Sequence, residues 1–500
     1  MSAMTDDQIS YGRRLTQLAD AHPDATAVVF AAEDGTERSI TWQELERRSN
    51  QVANLLEHRG LAERDTIVVA LRNSPEHLFS TFAAWKLGAS VLPLRWDLPV
   101  WERERLLAIA SPVVVIASWD HPEPDTLGPD DIRATNGLPD APPAEDHVAE
   151  YTRLVATSGS TGTPKIVAIP SPTVISADFT ASAVLGTQTG KTYLTTSPLY
   201  HVNGWTYCYN PLIQDCGVVL MERFDAARTL DLIERYQVNF VCMVPTMLQR
   251  VARLDDAAAH DLSSIERLVY GGASVPEWVV RAWLELIPPD RFTLTYGGSE
   301  NYGLCMTTGD RWLEHPGTVG QPVGTEVKIV GEDGTELPAG EIGEIHLRSV
   351  VPGPGFRYIG QPTPPPDEHG FGTFGDMGYV DDDGFVYIAD RRRDMVVTGG
   401  ANVYPAEVEA VLTEHPAVLD VVVIGLPDPE WGHRVHAVVE PVDHSAPPTP
   451  EALRVHCKER LASYKVPKAF EIVEKVPRTA AGKINRSALV EERTAPSADR

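Results

Sequence analysis

Five hundred residues are too many for one ordinary hydrophobic core, so the chain is expected to fold as two or more domains. Hydrophobic residues make up 43% of it, ample for a large core, yet no run approaches the roughly 18 consecutive apolar residues a membrane helix needs. A net charge of −27 argues against nucleic acid or an anionic membrane as a partner.

The first residues, Met1 to Asp7, are polar and acidic, without the basic-then-apolar pattern of a signal peptide. Ile40-Thr41-Trp42 leads into a helix over 43–59, with Leu45, Ser49, Val52, Ala53 and Leu56 on one face. A strand over 66–71, a helix over 76–87 and a strand over 90–94 follow. Residues 151–156 read as a short buried strand, and 166–169 resume an apolar run after a polar interruption. Strand 218–221, helix 226–236 and strands 240–243, 267–270 and 292–295 continue the alternation, which predicts α/β layers with parallel strands.

After about Thr318 the character changes. Residues 326–330 and 343–348, with Gly-Glu-Asp-Gly between them, predict an antiparallel hairpin and a β-rich subdomain. Residues 352–370 are dense in Pro and Gly and predict an irregular surface loop. From Asp394 a small unit of mixed helices and strands begins: helix 405–413, strands 418–424 and 435–440, and helices 451–462 and 486–492. The tail after Arg493 is expected to be disordered. The five cysteines, Cys208, Cys216, Cys242, Cys305 and Cys457, have no metal-ligand spacing, and their odd count predicts reduced thiols in a cytoplasm.

Residues 154–165, Leu-Val-Ala-Thr-Ser-Gly-Ser-Thr-Gly-Thr-Pro-Lys, carry the strongest chemical signal. Gly159 and Gly162 let the backbone turn so that successive N–H groups converge on an anion. Thr157, Ser158, Ser160, Thr161 and Thr163 add hydroxyls, and Lys165 adds a compact positive charge. The spacing is not that of the common P-loop. Only nine of the 43 basic residues are lysines, so a lysine in a Gly-rich setting is informative; Lys165 and Lys483 both qualify.

Three later segments add to this. In Tyr296-Gly-Gly-Ser-Glu300 the aromatic ring suits a nucleotide base, and the carboxylate suits Mg²⁺ held with phosphate oxygens. In 373–378, Thr-Phe-Gly-Asp-Met-Gly, Asp376 can accept hydrogen bonds from a ribose diol, with Arg391 downstream as a donor. In 477–486, Lys483 follows a glycine on a loop entering a helix and can be delivered to developing negative charge.

In this order these segments resemble the adenylate-forming superfamily: acyl-coenzyme A synthetases, firefly-type luciferases and the adenylation domains of nonribosomal peptide synthetases. The resemblance runs from about Ile40 to Arg486. It includes Ser197-Pro-Leu-Tyr-His-Val-Asn-Gly204, Val244-Pro-Thr-Met247, Tyr270-Gly-Gly-Ala273, Pro316-Gly-Thr-Val-Gly320 and Gly399-Gly-Ala-Asn-Val-Tyr-Pro405. It implies ATP-dependent conversion of a carboxylic acid to an acyl-adenylate with release of pyrophosphate, then acyl transfer to coenzyme A, with Mg²⁺ as cofactor. It also implies a large N-terminal domain over 1–390, a hinge at 391–394 pivoting on Arg393, and a small mobile C-terminal domain over 395–492.

The same resemblance assigns residues. Thr157 to Lys165 would grip the β- and γ-phosphates. Gly271, Gly272 and Ala273 would wall the adenine, with Tyr296 and Gly297 against it. Ser299 would touch the α-phosphate and Glu300 would hold the metal. Asp376 and Arg391 would bind the ribose. Lys483 would bridge the carboxylate and the α-phosphate, and Gly399 and Gly400 would line the pantetheine tunnel. His201 would gate the acyl pocket, with Asn203, Gly204, Trp205, Gly272 and Gly298 near it; Tyr207 and Tyr209 extend the aromatic character of that wall. Three positions depart from the family pattern: Phe374 replaces a hydroxyl residue, Asp390 stands where Gly is usual, and Arg393 where Asp or Lys is more frequent. The alternatives are an amide bond synthetase using an amine acceptor and a non-catalytic nucleotide-binding scaffold. No carrier-protein domain is expected, and the protein is expected to be a monomer or homodimer.

Overall fold

The computed structural model describes residues 8–120, 122, 125–157, 164–176, 188–272, 275–351, 353, 355–391, 394–398, 401–478 and 484–494. The parallel strands expected from the alternation form one sheet. Thr26–Ala31, Gly217–Met221, Thr192–Thr195, Phe240–Met243, Arg267–Gly271 and Phe292–Gly297 lie side by side and parallel, in that order. Phe240–Met243 is buried throughout, as expected where helices cover both faces. Antiparallel strands close the edges: Glu37–Thr41 at one side, Leu304–Thr308 and Gln321–Pro322 at the other.

Two helices found from periodicity pack together over this sheet. Trp42–His58 begins on Thr41, whose hydroxyl accepts the Glu44 N–H, and Pro75–Lys86 begins on Ser74, which accepts the His77 N–H. Leu45, Val52, Ala53 and Leu56 are buried, as the spacing predicts. Charge is buried with them: Lys86 Nζ lies 2.7 Å from Glu46 Oε2, and Asn50 Nδ2 donates to the other oxygen of Glu46 at 3.0 Å. Such a pair is tolerable inside only because hydrogen bonds satisfy the remaining atoms. A parallel sheet of Ser90–Pro93, Thr66–Ala70 and Val114–Ala117 lies in the same half.

A small antiparallel sheet has Lys165–Ala168 as its central strand, between Leu154–Thr157 and Arg357–Ile359. The last strand corrects the expectation of an irregular loop over 352–370. Three residues of that segment find backbone partners more than 180 positions earlier in the chain, a pairing no local pattern can show. The expected hairpin belongs to a four-stranded antiparallel sheet of Thr325–Val330, Gly343–Ser349, Gly372–Val380 and Val386–Arg391.

The C-terminal unit is a mixed sheet in which Val418–Asp428 and Gly432–Pro441 form a long hairpin and Ala469–Ile472 adds in parallel. Helices Pro405–Thr413 and Pro450–Lys458 cover it, and Arg486–Thr494 follows. The last turn expected of the 451–462 helix is absent, since that helix ends at Lys458. Asp390, at the end of the preceding sheet, accepts the Ala406 N–H at 2.8 Å in the first turn of Pro405–Thr413. At the far end of the same helix, Arg253 donates to the carbonyls of Thr413 and Val418 at 3.0 and 2.8 Å. All five cysteines are free and buried, and burial raises every thiol, Cys216 and Cys457 to about 11 and Cys305 to about 12. Among the described residues no helix is long and apolar enough to cross a membrane.

Candidate active site

The candidate residues gather at the C-terminal end of Phe292–Gly297, the last parallel strand of the large sheet. In open sheets with parallel strands that end is where ligands bind. Tyr296 closes the strand with its ring buried, and its hydroxyl donates to Asp376 Oδ2 at 2.8 Å. Asp376 is buried on Gly372–Val380 and lies opposite Arg391 in the antiparallel register. The base and ribose candidates therefore meet directly, although they are 80 residues apart.

The chain then turns sharply. The Asn301 N–H donates to the Gly298 carbonyl at 3.1 Å, and Asn301 itself has φ +54, which presents Ser299 and Glu300 at the tip of a turn. On the neighbouring strand, a Cβ at Gly271 would lie 2.6 Å from Thr295 Oγ1, so only glycine allows the two strand ends this approach. Gly272 is exposed, with φ +95 and nothing among the described residues within 4 Å of a Cβ position, and lies beside Tyr296 where a flat ring could rest.

Lys165 reaches the same region from the small antiparallel sheet. It pairs directly with Thr157 across the loop whose residues 158–163 lie outside the described residues. Its ammonium lies 4.9 Å from the centroid of the Tyr358 ring, and the Tyr358 hydroxyl donates to Glu300 Oε1 at 3.2 Å. Burial and the Glu300 charge raise the Tyr358 phenol above its ordinary value, so it stays a neutral donor.

Sequence reasoning missed Tyr358, Phe356 and Tyr302. Tyr296, Phe374, Tyr302, Phe356 and Tyr358 form a continuous chain of ring contacts with centroids 5.3 to 6.0 Å apart. Two glycines make room for it: a Cβ at Gly298 would lie 2.4 Å from the Phe374 ring, and one at Gly372 would lie 2.0 Å from the Tyr302 ring. Phe374, which replaces a hydroxyl, is thus matched by Gly298 on the facing turn. The only local signal was the alternation of Phe356 and Tyr358 inside a Pro/Gly-rich segment.

His201 is the N-cap of helix Val202–Ile213, with Nδ1 accepting the Asn203 N–H at 3.3 Å. Among the described residues the buried amide nitrogen of Asn203 has no hydrogen-bond partner, which leaves it a donor for a ligand. Gly204 has a packing reason: its Cβ would lie 2.1 Å from the Pro198 carbonyl oxygen. Trp205 and Tyr209 of this helix are buried. Trp205 meets Trp85 edge-on at 5.7 Å and lies tilted against Tyr209 at 4.3 Å. Ala273, Arg393, Gly399, Gly400 and Lys483 lie outside the described residues, as does the tail after Thr494; of Arg391 the backbone alone is described.

Residues 15–355 match the AMP-binding enzyme family, and 407–483 match the AMP-binding enzyme C-terminal domain. The chain is 32% identical to the 2-succinylbenzoate–CoA ligase of Bacillus licheniformis over 95% of its own length and 98% of that protein. In structure it resembles the o-succinylbenzoate CoA synthetase of Bacillus subtilis bound to its acyl-adenylate, at 27% identity, with a TM-score of 0.78 and 97% and 98% of the two chains covered. It also resembles the amide bond synthetase of Marinactinospora thermotolerans, at 27% identity, with a TM-score of 0.75 and 97% and 99% covered. The chain belongs to the AMP-binding enzyme family, with a large N-terminal domain and a small C-terminal one.

Proposed function

We propose that the protein is an ATP-dependent carboxylate–coenzyme A ligase that forms an acyl-adenylate and then an acyl thioester, releasing AMP and pyrophosphate. The observation that carries this is the convergence of Lys165, Tyr296, Glu300 and Asp376 on one turn, in a chain that matches this family over 15–355 and 407–483. A carboxylate is a poor electrophile, and the first step brings two anions together, so the site must manage charge. Tyr296 and the open surface at Gly272 receive the base, and Asp376 accepts from the ribose diol once Tyr296 yields its place. Lys165 and the 157–163 segment hold the departing pyrophosphate. Lys483 is assigned to the attacking carboxylate and the α-phosphate, with Ser299 beside it.

The donor set fits a divalent cation, because among the described residues the Glu300 carboxylate faces the site with only a neutral hydroxyl on one oxygen. When bound there, Mg²⁺ would offset phosphate charge during the displacement. His201, Asn203, Gly272 and Gly298 are assigned to the acyl side, and Gly399 and Gly400 to the pantetheine tunnel. We place the hinge at 391–394, with the enzyme in a cytoplasm, where five free buried thiols are at home. The enzyme is assigned as a monomer or homodimer.

Pyrophosphate exchange into ATP across a panel of carboxylic acids tests the reading. Exchange with at least one acid, followed by thioester formation with coenzyme A, is the expected result. Product with amines but not with coenzyme A would instead support the amide bond reading, which the Marinactinospora thermotolerans neighbour favours. ATP binding without exchange for any acid would leave a scaffold.

A further inference from the structure

Tyr358 stands between two opposite charges that face one site. Its strand, Arg357–Ile359, runs antiparallel to Lys165–Ala168 with Tyr358 opposite Val167, so Tyr358 and Lys165 are diagonal neighbours on one face of the sheet. The ring lies under the Lys165 ammonium at 4.9 Å while the hydroxyl donates to Glu300 at 3.2 Å. Two contacts fix the ring in this pose. The Tyr358 N–H donates to Thr363 Oγ1 at 2.8 Å, and Phe356 meets the ring edge-on at 5.4 Å.

An ammonium and a carboxylate in a partly buried cleft attract strongly at contact distance. If Lys165 and Glu300 paired, a phosphate and a cation would each have to break that pair before binding. Among the described residues neither of them makes an ion pair. Each instead has part of Tyr358, and a cation–π contact and a hydrogen bond from a neutral hydroxyl are both weaker than a close ion pair. We propose that Tyr358 is a positioning residue that holds Lys165 and Glu300 apart on weak neutral partners, ready for a triphosphate and a divalent cation. This rests on the assignment of the site to ATP, and it adds a residue and a role that the assignment does not contain.

Calorimetric titration of ATP into the full chain, with chelator present and then with Mg²⁺, requires no knowledge of the acid. Tyr358→Phe keeps the ring but frees Glu300 to close on Lys165. It is expected to weaken metal-free ATP binding about tenfold, the scale of coupling between neighbouring side chains. In a Glu300→Gln background the same substitution is expected to have no effect, because the competing charge is gone. Thermal unfolding of each variant confirms that it is folded. Wild-type affinity in Tyr358→Phe, or a loss that persists unchanged with Glu300→Gln, would overturn the proposal while leaving the ligase reading intact. Failure of the wild-type chain to bind ATP under either condition would overturn both.

Discussion

At the scale of single residues, burial sets the charge states on which stability depends. His77 is fully buried, with Nδ1 2.8 Å from the Tyr209 hydroxyl, which in turn donates to Thr81 Oγ1 at 2.9 Å. The hydroxyl hydrogen is committed to Thr81, so His77 donates from Nδ1, and Nε2 has no partner among the described residues. Burial depresses the imidazole pKa from 6.5 to about 3. Below pH 6.5 the unfolded chain takes up a proton that the folded chain refuses until about pH 3, so stability falls as pH falls through that window. By pH 5 this residue alone should cost about 2 kcal/mol, at about 1.4 kcal/mol per pKa unit. His77→Gln keeps a donor toward Tyr209 and does not titrate. The pH dependence of its unfolding free energy in urea between pH 7 and 5 should be shallower than that of the wild type, and an equal slope would refute the assignment.

At the scale of elements, short-range pattern and long-range pairing divide the fold between them. Helix Val202–Ile213 begins pressed against the turn before it, with no space for a methyl group between Gly204 and the Pro198 carbonyl. Gly204→Ala must shift backbone, at a cost of about 1–3 kcal/mol as for other overpacked sites. Because His201 caps this helix, adenylation should fall as the urea midpoint falls; an unchanged midpoint would show that the turn relaxes freely. Apolar runs such as Phe240–Met243 announced the parallel sheet because a strand buried on both faces needs no partner to be recognised. Arg357–Ile359 could not be read in the same way. Its three residues owe their conformation to Lys165–Ala168, and with that strand went the identity of Tyr358. The glycine pairs were legible only as glycines: nothing in the sequence shows that Gly298 faces Phe374 or Gly372 faces Tyr302. The Lys86–Glu46 pair was equally hidden, since a charged residue on a helix ordinarily marks its solvent side. Composition and motif order reached the family and the residues at the turn, but not the contacts that hold them.

At the scale of the molecule, the proposed chemistry is divided between two domains. Lys483 is assigned to the first half-reaction alone, so Lys483→Ala should lower pyrophosphate exchange by two to three orders of magnitude, about 3–4 kcal/mol of transition-state stabilisation. Thioester formation from a supplied acyl-adenylate should persist, and equal loss of both half-reactions would refute the division of labour. The arrangement of the domains also bears on how the small one is held. Helix Pro405–Thr413 has the Asp390 carboxylate at its N-terminus and the Arg253 guanidinium at its C-terminal Thr413 carbonyl, each charge opposite in sign to the helix pole it meets. The large domain thus grips this helix as a pair of electrodes grips a dipole. Such a grip has a preferred direction, and because Asp390 is buried it lies largely beyond the screening of dissolved ions, so added salt should leave the small domain's orientation nearly unchanged.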